Sequence, residues 1–278
     1  MSVRIITDST SDLTPEVRAR VGVIPLSIRF GEEEYIDGVT ITTDEFYRKL
    51  SGGSVLPTTS QATPASFEKL FRETVEAGDT AVVITIASGL SGTYQSGVIA
   101  AEDYPGKIFV VDSENVAIGA GILVEYALKL ADQGMEADRI AAELTKLRSK
   151  VYLVAVVDTL EYLRKGGRIS KTVAFAGGLL SIKPVISVAG GELKMINKAR
   201  GNKQANAVMN QEIDKLGKVD FSKPVMLGYT GCSDELLQKY IAESVDYWGG
   251  RTFPSTVVGS TVGVHAGPGA VAAAFFVE

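Results

Sequence analysis

Two short polar stretches hold the side chains best suited to chemistry, Thr58-Thr59-Ser60-Gln61 and Ser88-Gly89-Leu90-Ser91-Gly92-Thr93. Each precedes a segment of helical character. In an open α/β sheet, ligands collect outside the carboxyl ends of the strands. Ser91 stands where a helix would begin, and there the free N–H groups and the helix dipole favour an anion. Ser and Thr hydroxyls add donors without adding charge. The pair of loops could thus hold a carboxylate or a phosphate. The plainer reading is that these residues are caps and turn formers.

Other chemistry is thinly supplied. The chain has one His, His265, and one Cys, Cys232. That excludes an intrachain disulfide and argues against a Cys/His zinc site. Neither Gly106-Lys107 nor Gly217-Lys218 fits a phosphate loop, and Gly119-Ala120-Gly121 lacks the third glycine of a dinucleotide fingerprint. A serine hydrolase is the rival reading, with Ser91 as nucleophile, His265 as base, and Asp8 or Asp112 orienting the imidazole. The nucleophile elbow is G-x-S-x-G, however, and Thr93 stands where its last glycine should be. Asp8 and Asp12 read as caps of the helix after the first strand, and Asp112-Ser113 as a strand-end turn. Arg164, Lys165 and Arg168 form a basic cluster, either a solvated face or a partner surface. His265, between Gly263 and Gly267, reads as part of a loop with little bulk around it. Cys232 reads as inert.

The elements that would position these residues alternate along the first half of the chain. Apolar runs at 3–7, 23–30, 81–86, 107–111 and 151–157 read as strands, the last closing the series. Thr14-Pro15 and Thr63-Pro64 each pair a cap with a proline at the first helical position. Phe67, Leu70, Phe71 and Val75 fall at helical spacing. Further helices are expected near 115–132 and 136–149. Strand, polar loop and helix in repetition imply a largely parallel sheet covered by helices. In the second half, runs at 183–188 and 193–199 flank Gly190-Gly191 and read as a hairpin. Strands at 225–229 and 252–258 alternate with helices near 203–216 and 234–247. The expected architecture is two α/β domains, residues 1–158 with a mostly parallel sheet and 159–278 with a mixed or antiparallel one, with a ligand buried between them. The stretch Phe175-Ala176-Gly177-Gly178-Leu179-Leu180 could line such a pocket.

Composition agrees with this. The chain has 278 residues, 45% of them hydrophobic and 22% charged, with a formal net charge of −5. These proportions suit a globular protein with ample core and argue against a dedicated nucleic-acid binder. The N-terminus shows no signal-peptide pattern and no apolar run approaches the roughly 20 residues of a membrane span. A cytoplasmic protein is expected.

Taken together, the separated motifs resemble the DegV family, whose best understood members are the bacterial FakB fatty-acid-binding proteins. The match is carried by Asp8-Ser9-Thr10-Ser11-Asp12-Leu13, the two hydroxyl loops, Leu160-Glu161-Tyr162-Leu163-Arg164-Lys165-Gly166-Gly167-Arg168-Ile169, Lys183-Pro184 and His265-Ala266-Gly267-Pro268-Gly269. One departure is Ala62 after Gln61, where family members commonly have proline. The resemblance implies a non-enzymatic carrier with no cofactor or metal of its own, holding a palmitate-, stearate- or oleate-like acid between its lobes. Thr59 and Ser91 would grip the carboxylate. His265 would lie beside it, with Ser60 and Gly92 as further candidates on the ligand side or in support of phosphotransfer. A separate ATP-dependent fatty acid kinase would phosphorylate the bound carboxylate to an acyl phosphate for phospholipid synthesis. Arg200 and Arg168 are the candidates for docking that partner. Transient membrane contact is compatible with this role; stable insertion is not expected. A lipid-binding regulator without a kinase partner is a third reading.

Overall fold

The computed structural model describes residues 2–53, 55–169 and 181–278. In chain order its elements are β1 (Val3–Asp8), α1 (Pro15–Arg18), β2 (Gly22–Ile24), β3 (Ser27–Phe30), β4 (Glu33–Ile36), α2 (Thr43–Gly52), β5 (Thr58–Ser60), α3 (Pro64–Glu76), β6 (Thr80–Thr85), α4 (Thr93–Ala101), β7 (Ile108–Asp112), α5 (Ala117–Asp132) and α6 (Ala137–Leu147). The second part continues with β8 (Val151–Val156), α7 (Glu161–Lys165), β9 (Ile182–Ala189), β10 (Glu192–Arg200), α8 (Asn202–Leu216), β11 (Met226–Tyr229), α9 (Glu235–Glu243), β12 (Ser255–Val257), α10 (Ser260–Ala266) and β13 (Val271–Phe276). The stretch 175–180, expected to line a pocket, lies outside the described residues.

Local chemistry sets several boundaries. The Thr14 hydroxyl accepts from Val17 N–H, with Pro15 at the first helical position. Thr42 and Glu45 form a reciprocal capping box at the start of α2. Gly190 and Gly191 both have positive φ, which lets the chain turn tightly between β9 and β10.

Three sheets result. The first is all parallel, in the order β2-β1-β6-β7. Every residue of β6 is buried, as expected for a strand covered on both faces. The second is mixed, in the order β10-β9-β8-β13-β11-β12, with only the β11–β12 pair parallel. The strand expected to close the parallel series is β8, and it lies instead between β9 and β13 of this second sheet. Both of its faces are buried, in different cores. Leu153 and Ala155 pack into the core shared with the first sheet's helices, while Val154 and Val156 pack toward α8 and α9. The third sheet is small and antiparallel, β4-β3-β5. Its existence splits the expected strand at 23–30 into β2 and β3, and turns the expected Thr58-Thr59-Ser60 loop into the short strand β5.

Helix α5 is buried almost throughout and packs against β1 and β6 on one side and β8, β11 and β13 on the other. A helix apolar all round belongs in a core, and this one joins the two larger sheets. Asn115, fully buried just before it, donates to the carbonyls of Val151 and Val188 and accepts from Val116 N–H. A Cβ at Gly119 would overlap the Asn115 side chain, and one at Gly121 would lie 2.7 Å from the Asp12 carbonyl. These glycines serve close packing.

Candidate functional site

A cavity of about 240 Å³ lies between the loops of the first lobe and one face of the six-stranded sheet. Its floor mixes small and branched apolar side chains. Ile186, Ala155, Ala272 and Gly228 form one cross-strand row, and Ala155, Ile186, Ala270 and Ala272 line the cavity. The opposite face of the same strands carries Val156, Val271 and Phe275, packed against the back helices. The small residues Ala155, Ala270 and Ala272 leave room in front of the sheet, beside the larger Leu153, Ile186 and Val188. Thr10, Thr230 and Thr261 also line the space. The Thr10 and Thr261 hydroxyls donate to Asp8 and Asp37, and that of Thr230 accepts from Ala270 N–H. With their hydroxyls engaged, these residues keep the interior apolar.

One part of the wall is polar. Pairing of β5 with β3 sets Thr59 opposite Ile28. Ser91 sits in the turn after β6, two residues before α4 begins. His265 lies in the last turn of α10, which replaces the open loop expected there. Thr59 Oγ1 is 2.9 Å from His265 Nε2. Ser91 Oγ is 3.0 Å from Thr93 Oγ1 and accepts from Thr93 N–H. Thr93 Oγ1 itself accepts from Ala62 N–H. With Thr93 donating to Ser91, the Ser91 hydrogen is left for a ligand.

Burial pushes the His265 pKa down to about 4, with the Arg168 charge as a smaller cause. At neutral pH the ring is therefore uncharged. Among the described residues its Nδ1 is buried without a partner, and it lies so close to Gly166 that a Cβ there would overlap it. The tautomer with hydrogen on Nε2 donates to Thr59, which frees the Thr59 hydrogen to point at an anion. The fit is reciprocal, since a Cβ at Gly267 would overlap the Tyr162 ring. The α7 and α10 motifs each provide the glycine that the other's ring requires.

The remaining expected residues divide. Ser60, Gly92 and Arg168 line the cavity with Thr59, Ser91 and His265. The Arg168 guanidinium is exposed and donates to the carbonyls of Leu90 and Gly166. Arg200 is exposed at the end of β10, paired with Ile182, and does not line the cavity. Asp8 and Asp12 do not cap α1, whose cap is Thr14. Asp8 accepts from Thr10 and from Ile86 N–H, and Asp12 from Gly259 N–H. Asp112 ties two loops by accepting from Ser88 and Glu114 N–H. The hydrolase constellation is thus not assembled among the described residues, since Ser91 pairs with Thr93 and no carboxylate meets His265. The alanines that line the cavity, Ala155, Ala270 and Ala272, were missed from sequence, since the run Ala272-Ala273-Ala274 shows no alternation that would mark one face. No group of His, Cys, Asp and Glu among the described residues is placed to hold a metal, and none of the described helices is long and apolar enough to cross a membrane.

The structure is a two-lobed α/β scaffold with an apolar cavity whose wall carries an uncharged hydroxyl–imidazole cluster. The chain matches the family described as "Uncharacterised protein, DegV family" over residues 2–278, and it belongs to that family. A DegV domain-containing protein of Caldanaerobacter subterraneus is 35% identical over 280 residues, 99% of each chain. A structure titled as fatty acid binding of a DegV family protein from Thermus thermophilus superposes with a TM-score of 0.88 at 30% identity, covering 100% of both chains. A stearic acid-binding protein from Eubacterium ventriosum gives a TM-score of 0.87 at 29% identity, covering 99% of this chain and 98% of that one.

Proposed function

We propose that this protein binds a long-chain fatty acid in the cavity and presents its carboxylate to a separate ATP-dependent kinase, which forms the acyl phosphate. The observation that carries the reading is the apolar cavity whose polar wall joins Thr59, Ser91 and His265. A sixteen-carbon tail buries about 14 methylenes, worth roughly 11 kcal/mol gross, against several kcal/mol for its ordering. A carboxylate in apolar surroundings is costly unless hydrogen-bonded. Two hydroxyl donors answer that need while leaving the oxygens less masked than a bidentate arginine would. The protein is then a carrier, with Arg200 and Arg168 as its docking candidates for the kinase. The fatty-acid-binding relatives support the lipid; the kinase step rests on the family resemblance.

Native mass spectrometry tests the first part. The purified protein should carry a fatty acid, and a ligand-free spectrum unchanged by palmitate or oleate would refute it. With ATP and a DegV-partner kinase, acyl phosphate should form only from the loaded protein. Arg200→Ala should then lose phosphorylation and keep the lipid. Lipid binding without any product would favour a regulator that works alone.

A further inference from the structure

The helix that carries His265 has only seven residues, too few to persist unsupported. Its start is held from the other lobe by two buried carboxylates. Asp12, in the loop after β1, accepts from Gly259 N–H at 2.7 Å. Asp37, between β4 and α2, accepts from the Thr261 hydroxyl at 2.7 Å and from Thr261 N–H at 3.3 Å. Both residues are about 95% buried, with relative exposures of 5% and 4%. Two acids buried near one another are costly without strong partners, and the positive end of a helix is such a partner. Gly259 admits Asp12, since a Cβ there would lie 2.9 Å from Oδ1. Gly263 in turn lets α10 rest on the Phe46 and Tyr47 rings. Asp8 and Arg18 also act on Asp12, whose pKa is raised chiefly by burial.

We propose that Asp37 and Asp12 are positioning residues for the carboxylate grip, capping α10 from the opposite lobe so that His265 meets Thr59. Thr261 and His265 are four residues apart, about one helical turn, so a displaced start carries directly to the imidazole. This inference rests on the fatty-acid reading of the same site.

The lone histidine makes the test clean, because its imidazole gives an unambiguous NMR signal in unliganded protein. In Asp37→Ala, the His265 signal should move and palmitate should bind about fivefold more weakly, the scale of a lost helix cap. Asp37→Asn keeps an acceptor oxygen and should restore both. A folded Asp37→Ala protein with an unmoved His265 signal and unchanged palmitate affinity would overturn the proposal, leaving Asp37 a purely structural group. Should Asp37→Ala not fold, Thr261→Val removes the hydroxyl donor with little change of shape. Its His265 signal then decides, movement supporting the proposal and constancy overturning it. Failure of the wild-type protein to bind palmitate would instead refute the fatty-acid reading, while the unliganded His265 signal would still report on the capping.

Discussion

The His265 environment makes a quantitative claim about proton linkage. In an unfolded chain the imidazole titrates near its ordinary value of about 6.5, whereas in the fold burial, with help from Arg168, brings it to about 4. Between those values the unfolded chain holds a proton that the folded protein lacks. Stability from this group is therefore full above pH 6.5, declines as the pH falls, and is gone below about 4. At roughly 1.4 kcal/mol per pH unit the full effect is about 3 kcal/mol. Asp8 and Asp12 act in the opposite sense, since burial raises their pKa values and the fold then holds their protons more firmly. Urea denaturation across pH 4 to 7, compared between wild type and His265→Gln, removes that background. The difference should grow with pH by about 3 kcal/mol. A carboxylate arriving beside Thr59 attracts the charged imidazole, so palmitate should raise the His265 pKa and bind more tightly as the pH falls toward it. An unliganded midpoint near 6.5, or one that palmitate leaves in place while binding is measured directly, would refute this account of the site.

Thr59→Val and Ser91→Ala each remove one donor to an anion. Each should weaken palmitate binding by roughly 10- to 100-fold in calorimetry, the usual scale for hydrogen bonds to charged groups. Ala272→Leu places a larger side chain on the cavity floor beside Ala155. It should abolish binding of long acids while thermal denaturation shows Tm unchanged or higher. Asn115→Ala strips the partners from two buried carbonyls and should cost about 2–4 kcal/mol in urea unfolding, with the cavity chemistry intact.

Much of this was readable in the residues, and the failures have physical causes. The Thr-Pro helix starts, the double-glycine hairpin and the all-buried β6 announce themselves because local backbone preference and burial period agree there. The strand β8 misled, because its apolar run is the same whether it pairs in parallel with β7 or antiparallel with β9 and β13. Thr58 to Ser60 read as loop because three polar residues carry no strand signal, and only tertiary pairing with β3 makes them one. Hydroxyl type and position pointed to the two loops, and the family resemblance narrowed them to Thr59 and Ser91 with His265 beside them; Asp12 was read as a local cap, and Asp37 was not singled out. Asp12 and Asp37 find their partners more than two hundred residues away, beyond the reach of a local capping rule. The roles of Gly166 and Gly267 could not be read locally, since the rings they accommodate come from another part of the chain.

The apolar cavity has a consequence for the protein as a material. The cavity is about 240 Å³, and while it is unfilled the apolar side chains that line it lack packing partners on one side. On the fatty-acid reading, an acyl guest would be a removable plug that completes the hydrophobic interior, and the vacant form would be the weaker material. Unloaded copies would open more often and fall sooner to proteases. Cellular abundance would then follow lipid supply, with survival of the polypeptide serving as a gauge of its cargo.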